Sequence, residues 1–262
     1  MTTLIDDRAT APLAPVTATL RSMFGTDELP GLATGLIVTD EVGWAPATEL
    51  IDGSRLPDLL GASRQRWGAT PHAAAALAWK SYTYWLGLPV VLGWAAARRV
   101  PLLYPADVLT HVTDSGPLLK FGLRPTTTIA VLPNDPLALA GLPEVRVAAD
   151  EAELLGLLRA SLLDAHLTPL LDAIHAQVRV GARTLMGSVA SGVAHAVLRA
   201  ADALPGGSAE HIGVLLDTLD VADLIELVPG PTGALTVQRK TCCLAFTLPQ
   251  PKICAGCCIR TA

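Results

Sequence analysis

The spacing of apolar residues changes character along the chain. The segment GLATGLIVTD (31–40) is apolar and partly β-like, and it ends against Asp40 and Glu41. EVGWAPATELIDGSRLPDLLGAS (41–63) is dense in turn formers, so short elements are expected there. PHAAAALAWKSYTYWL (71–86) reads as a helix. Pro71 suits a first turn behind a Thr70 cap, and Gly87 and Pro89 are expected to stop it. Trp79 and Tyr82 lie three apart and share a face, as do Lys80 and Tyr84 four apart. Core packing is the expected role of these aromatic residues, with a share in an aromatic ligand pocket as the alternative.

From Pro89 to Val131 the texture is short apolar and β-branched runs cut by Gly, Pro and Asp: PVVLGWAAARRVPLLY, DVLTHV, LLKFGLRP and TTTIAVL. These predict strands of a mainly antiparallel sheet. Arg98, Arg99, Lys120 and Arg124 fall along it, either as a solvated edge or as a site for an anion. After NDPLALAGLPEVRVAAD, leucine recurs at three- and four-residue intervals from Asp150 to Val180, which predicts a helix that Pro169 breaks in two. GARTLMGSVASGVAHAVLRAAD (181–202) carries small residues suited to tight helix contacts, and HIGVLLDTLDVADLIELV (211–228) predicts a further helix or pair. The expected architecture is α+β. A mixed α/β region with short antiparallel strands spans 1–149, a helical region spans 150–238, and a cysteine-bearing tail spans 239–262, with a single structural unit as the alternative.

Composition narrows the function. Apolar residues are 51% of the 262 and charged residues 16%, which is the balance of a folded protein with a sizeable core. The net charge of -5, with no basic tract, gives no reason to expect nucleic acid. The N-terminus has no basic start followed by an apolar core, and no uncharged apolar run reaches the roughly 20 residues of a membrane span. A soluble, cytoplasmic protein is expected, with peripheral membrane contact left open by the high mean hydropathy. Neither GxGxxG nor GxxxxGK[ST] occurs. His166, His175 and His195 have no second His at metal spacing. Ser188 and Ser191 have no nucleophile context, and Asp164 with Asp172 is too thin a pairing for acid–base chemistry. Structural roles are expected for all of these.

The candidate chemistry sits in the tail. All five cysteines fall there: Cys242, Cys243, Cys254, Cys257 and Cys258. Ten residues separate Cys243 from Cys254, and two separate Cys254 from Cys257. Zinc commonly takes two Cys-x-x-Cys hooks, and only Cys254/Cys257 forms one. Adjacent side chains in an extended segment point to opposite faces, so Cys242 and Cys243 suit one small ion poorly. A two-iron cluster offers two metals, each needing two thiolates, and tolerates adjacent cysteines better. From Leu227 to Ala262 there is no Asp or Glu, whereas Arg239, Lys240, Lys252 and Arg260 are present. Such cations would offset the negative charge of a cluster or attract an anionic substrate or acidic partner. Zinc and thiol–disulfide chemistry remain the rivals.

The segment RKTCCLAFTLPQPKICAGCCIR (239–260) resembles the C-terminal signature of the FhuF-like ferric siderophore reductases. That signature is Cys-Cys, ten residues, Cys, two residues, Cys. The resemblance covers about 22 residues closely and the rest of the chain only loosely. It implies that Cys242, Cys243, Cys254 and Cys257 hold a [2Fe–2S] cluster, with Cys258 as bystander where the family often has proline. Ala245 and Phe246 also stand where the family often has two aromatics. The resemblance further implies one-electron reduction of a ferric siderophore of hydroxamate or catecholate type, releasing Fe²⁺. The electron would come from a ferredoxin, a flavodoxin or a reductase. Arg239, Lys240, Lys252 and Arg260 become candidate substrate or partner contacts, and the fold is expected to resemble the palm and thumb of siderophore synthetases. A ferredoxin-like carrier with another acceptor, and an iron or redox sensor without turnover, are the alternatives.

Overall fold

Pro15 sits in the first turn of helix α1 (Ala14–Phe24), and Gly25 closes that helix in a left-handed turn with its N–H on the Arg21 carbonyl. The computed structural model describes residues 11–25, 29–113, 116–254 and 256–259. Next come β1 (Leu32–Ile37), β2 (Ala45–Pro46), α2 (Thr48–Ile51), α3 (Leu56–Trp67) and a long helix, α4 (Pro71–Ala97). The short strands β3 (Val100–Pro101), β4 (Val108–Val112), β5 (Leu119–Leu123), β6 (Ile129–Val131) and β7 (Val145–Val147) follow. The chain then forms α5 (Glu151–Gln177), α6 (Ala182–Arg199), α7 (Ser208–Thr218) and a hairpin of β8 (Ile225–Pro229) and β9 (Leu235–Arg239).

One sheet has the order β1-β5-β4-β2 and a second β3-β6-β7. Most pairings are antiparallel, but β1 with β5 and β6 with β7 are parallel. The expected strands between Val100 and Val131 are therefore present. Strand β7, in the EVRV segment, has no counterpart in the sequence reading.

Helix α4 is the axis of the molecule. Thr70 caps it by accepting the Ala73 N–H at 3.4 Å. Trp79, Tyr82 and Trp94 are among the largest fully buried side chains. The helix does not stop at Gly87 and Pro89 as expected; it continues to Ala97 with Pro89 buried inside it. A mid-helix proline costs about 3 kcal/mol. Leu88, Val90, Val91, Leu92 and Trp94 are all buried beyond it. Each such burial contributes about 1.5–3 kcal/mol, so packing outweighs the lost hydrogen bond. PVVLGWAAA is accordingly helix, not strand.

Two further differences have local causes. The helix expected from Asp150 is present, with Asp150 capping it by accepting the Glu153 N–H at 2.9 Å, but Pro169 does not break it. Residues Arg159–Leu167 widen into a π-helical stretch, in which the Thr168 N–H reaches back to the Leu163 carbonyl, and Pro169 enters the following turn. In the segment 211–228 the helix ends at Thr218, Asp220 adopts a left-handed φ of 56°, and IELVP becomes β8. By length and composition α5 could cross a bilayer, yet 56% of its most apolar window is buried inside the protein, as in a core helix.

α4 is tied to its neighbours by polar bonds. The Trp79 indole Nε1 donates to the Leu185 carbonyl on α6 at 2.8 Å. The Tyr82 hydroxyl meets His166 Nε2 at 2.6 Å, and His166 Nδ1 meets the Leu103 carbonyl at 2.8 Å. A carbonyl only accepts, so Nδ1 carries the proton and Nε2 accepts from Tyr82. Burial holds the His166 pKa down to about 4 and pushes that of Tyr82 up. His166 is thus folded in its neutral form. Its contribution is complete above the unfolded value near 6.5 and is lost as pH falls toward 4, amounting to roughly 3 kcal/mol. Urea unfolding between about pH 7 and pH 4 should show a shallower loss of stability in His166→Gln than in the parent protein. Equal slopes would refute this assignment.

Candidate functional site

Helical spacing builds a cleft between α4 and α6. Leu77, Lys80, Ser81 and Tyr84 form one stripe of α4, and Ser188, Ser191, Gly192, His195 and Arg199 form one stripe of α6. Trp67, β9 and the tail residues Cys243, Lys252 and Cys254 complete the wall. The enclosed volume is about 1050 Å³, the size of a small-molecule site. The lining holds Lys80, Arg199, Lys252 and His195, and among the described residues it contains no Asp or Glu.

The charges are set by surroundings. Desolvation against the wall, together with Lys80 and Arg239, holds the His195 pKa below its ordinary value, so the ring is neutral at pH 7. Burial raises Tyr84, and Arg199 partly opposes this by charge and hydrogen bond. The Arg199 guanidinium also lies 4.5 Å from the centre of the Phe24 ring.

The tail is seated against the helices. Cys243, Ala245 and Leu248 pack on Ala69, Ala73, Ala74 and Leu77 in a small apolar cluster of their own. Thr241 lies so close over Gly187 of α6 that only glycine leaves it room. Gly256 likewise abuts the Val237 carbonyl, and the Arg239 N–H donates to the Gly256 carbonyl at 2.9 Å.

The thiols divide within this tail. Cys243 and Cys254 line the cleft. The Cys242 sulfur accepts the Leu244 N–H at 3.3 Å and is hydrogen-bonded with Cys258. Burial first, then neighbouring thiols, push Cys254 and Cys258 above the ordinary thiol range, against the pull of Arg239. All five cysteines are free.

This arrangement overturns the cluster reading. Among the described residues, no group of three or more His, Cys, Asp or Glu side chains is placed to hold a metal ion. The physical reason lies in the adjacent pair: Cys243 lines the cleft while Cys242 turns to Cys258. Cys242, Cys243, Cys254 and Cys257 therefore do not form the expected [2Fe–2S] cage. The iron–sulfur tail of the expected fold class goes with it. So do one-electron reduction of a ferric siderophore and the oxidoreductase assignment.

The basic candidates separate too. Lys252 lines the cleft, Arg239 is buried behind Ser188, Lys240 is exposed away from the lining, and Arg260 lies outside the described residues. The sheet arginines form internal pairs: Arg99 with Asp135 at 2.7 and 3.0 Å, Arg124 with Glu41 at 2.8 Å, and Arg98 with Glu151 at 3.0 Å. The α6 stripe was missed because Ser188, Ser191 and His195 were weighed singly. Their spacing of three to four residues, ending at Arg199, was the available signal.

No protein-family model matches the chain, and no curated protein does. Among solved structures it is similar to ATP-bound aerobactin synthetase IucA from a hypervirulent pathotype of Klebsiella pneumoniae. The identity is 17% and the TM-score 0.51, over 75% of this chain and 36% of that one. A second structure of aerobactin synthetase IucA aligns at 16% identity and TM-score 0.43, over 69% of this chain and 33% of that one. The chain thus spans about a third of the length of the protein it matches. The first likeness establishes a shared α+β fold with part of a synthetase and not membership of a reductase family.

The seat of the tail is testable at Gly187. Alanine in a helix interior gains up to about 1 kcal/mol over glycine, whereas overpacking costs about 1–3 kcal/mol. Gly187→Ala should therefore lose net stability in denaturant melts and speed alkylation of the buried Cys243 and Cys257. A more stable variant with unchanged thiol reactivity would contradict the contact.

Proposed function

We propose that the cleft binds an anionic, oxygen-rich chelator of the siderophore class, either hydroxamate or catecholate. The observation that carries this reading is the charge of the lining: Lys80, Arg199 and Lys252, with neutral His195, and no carboxylate among the described residues. Tyr84 and Trp67 add flat apolar surface for a ring or extended chain. The fold likeness to a siderophore-related enzyme supports the ligand class and, beyond the fold itself, nothing narrower. A cytoplasmic setting is part of the proposal, supported by five unpaired thiols.

Titration calorimetry with a ferric hydroxamate and a ferric catecholate tests it. Lys80→Ala and Arg199→Ala should each weaken binding about tenfold, equivalent to about 1.4 kcal/mol. The Lys252 contribution should fade as salt rises, because exposed charges are screened beyond about 10 Å at 0.1 M. Equal affinity for a neutral compound of similar size, with no effect of these substitutions, would defeat the reading.

Bound anion also favours the imidazolium, raising the His195 pKa from its lowered free value. Binding then takes up a proton, so affinity should rise as pH falls through the bound-state value. The part of this slope due to His195 is the difference from His195→Gln measured with the same ligand. Parallel profiles would remove His195 from the site.

A further inference from the structure

Arg239 ends β9 and is 3% exposed. Its Nη2 donates to the Ser188 hydroxyl at 3.1 Å. Its Nε and Nη1 are buried and have no hydrogen-bond partner among the described residues. A guanidinium stays charged at any working pH, and an unpaired charge in the interior costs several kcal/mol. The partly buried Arg99, by contrast, meets Asp135 in a two-pronged pair. No carboxylate is close in sequence to Arg239, since residues 227–262 contain neither Asp nor Glu. The nearby thiols of Cys254 and Cys258 are held in their neutral form and do not supply the missing charge.

A second orphan lies beside it. Thr241 Oγ1 is buried without a partner and sits directly over Gly187, the residue preceding Ser188. Arg239 and Thr241 are two residues apart and meet α6 at adjacent residues, Ser188 and Gly187, so their unpartnered donors and the Ser188 hydroxyl are a set suited to the oxygens of an anion. The locus borders the cleft, because Ser188 is part of the lining and the Arg239 charge acts on His195 and Cys254, which line it as well.

We infer that Arg239, Ser188 and Thr241 form an oxyanion subsite behind the cleft wall, taking a carboxylate or phosphate group. The group arrives either as a small free anion or as part of a larger ligand in the cleft. The subsite requires only an oxyanion and does not depend on the siderophore reading. Arg239 is kept unpaired by the protein at a cost in stability that the incoming charge relieves.

Thermal unfolding of the full chain in chloride buffer, with and without inorganic phosphate or citrate, tests this. The parent protein should melt about 5 °C higher at an anion concentration about 100 times the dissociation constant. Arg239→Met should start from a higher melting temperature, because it removes the unpaired charge, and should not respond to either anion. Ser188→Ala and Thr241→Val, which keep the fold if Arg239→Met does not, should each weaken the response at least threefold. A response to phosphate and citrate alike identifies a free small anion as sufficient. A response to citrate alone assigns the site to the carboxylate of an organic ligand. No response to either anion in the parent, or an equal response in the parent and all three variants, overturns the subsite. Either negative leaves the cleft reading to be judged by Lys80→Ala and Arg199→Ala, whose failure would leave an Arg239-dependent response standing.

Discussion

The burial of α4 along most of its surface is the constraint from which the other features follow. A helix this apolar has to be enclosed, and here α6, α3, α1 and the strands β3 and β5 pack around it. The polar groups it carries inward each need a partner, and each finds one on a different neighbour. Trp79 bonds to α6, and Tyr82 reaches through His166 of α5 to the Leu103 carbonyl near the first strands. These bonds fix the rotation of α4 about its own axis. That rotation turns Lys80, Ser81 and Tyr84 toward the cleft. The chemistry of the cleft is thus set by hydrogen bonds on the opposite side of the same helix.

Much of the fold was legible in the chain because it rests on local signals. The Thr70–Pro71 start, the leucine spacing from Asp150 and the β-branched runs between Val108 and Val131 act within a few residues of themselves. The errors arose where tertiary burial overrode such signals. Pro89 and Pro169 are breakers by local rule, yet one lies in a helix held by its packing and the other follows a π-helical turn that absorbs it. The IELV segment alternates well enough for a strand but was read with the leucine-rich helix before it, and the left-handed Asp220 that divides them leaves little trace in sequence.

The tail taught the opposite lesson. Its cysteine spacing is a strong pattern, but spacing fixes only which thiols are neighbours along the chain. The direction of each side chain depends on the backbone after β9, where Leu244 takes a left-handed φ of 61° and Cys242 and Cys243 part company. The charge of the same segment does not depend on its backbone path. Arg239 and Lys252 both lie at the cleft or behind its wall, because a stretch without carboxylates remains so however it folds.

The cleft draws its walls from Trp67 at one end of the sequence span and Gly256 at the other. No shorter piece of chain contains it. During synthesis α4 and the sheets can begin to assemble while the hairpin and tail are still unmade, and contacts of such wide sequence separation form late. A ligand held in this cleft would therefore bind only molecules whose hairpin and tail have docked on the helices. Its stabilisation would fall on the last-joined of these contacts, making occupancy a report on whether they have closed.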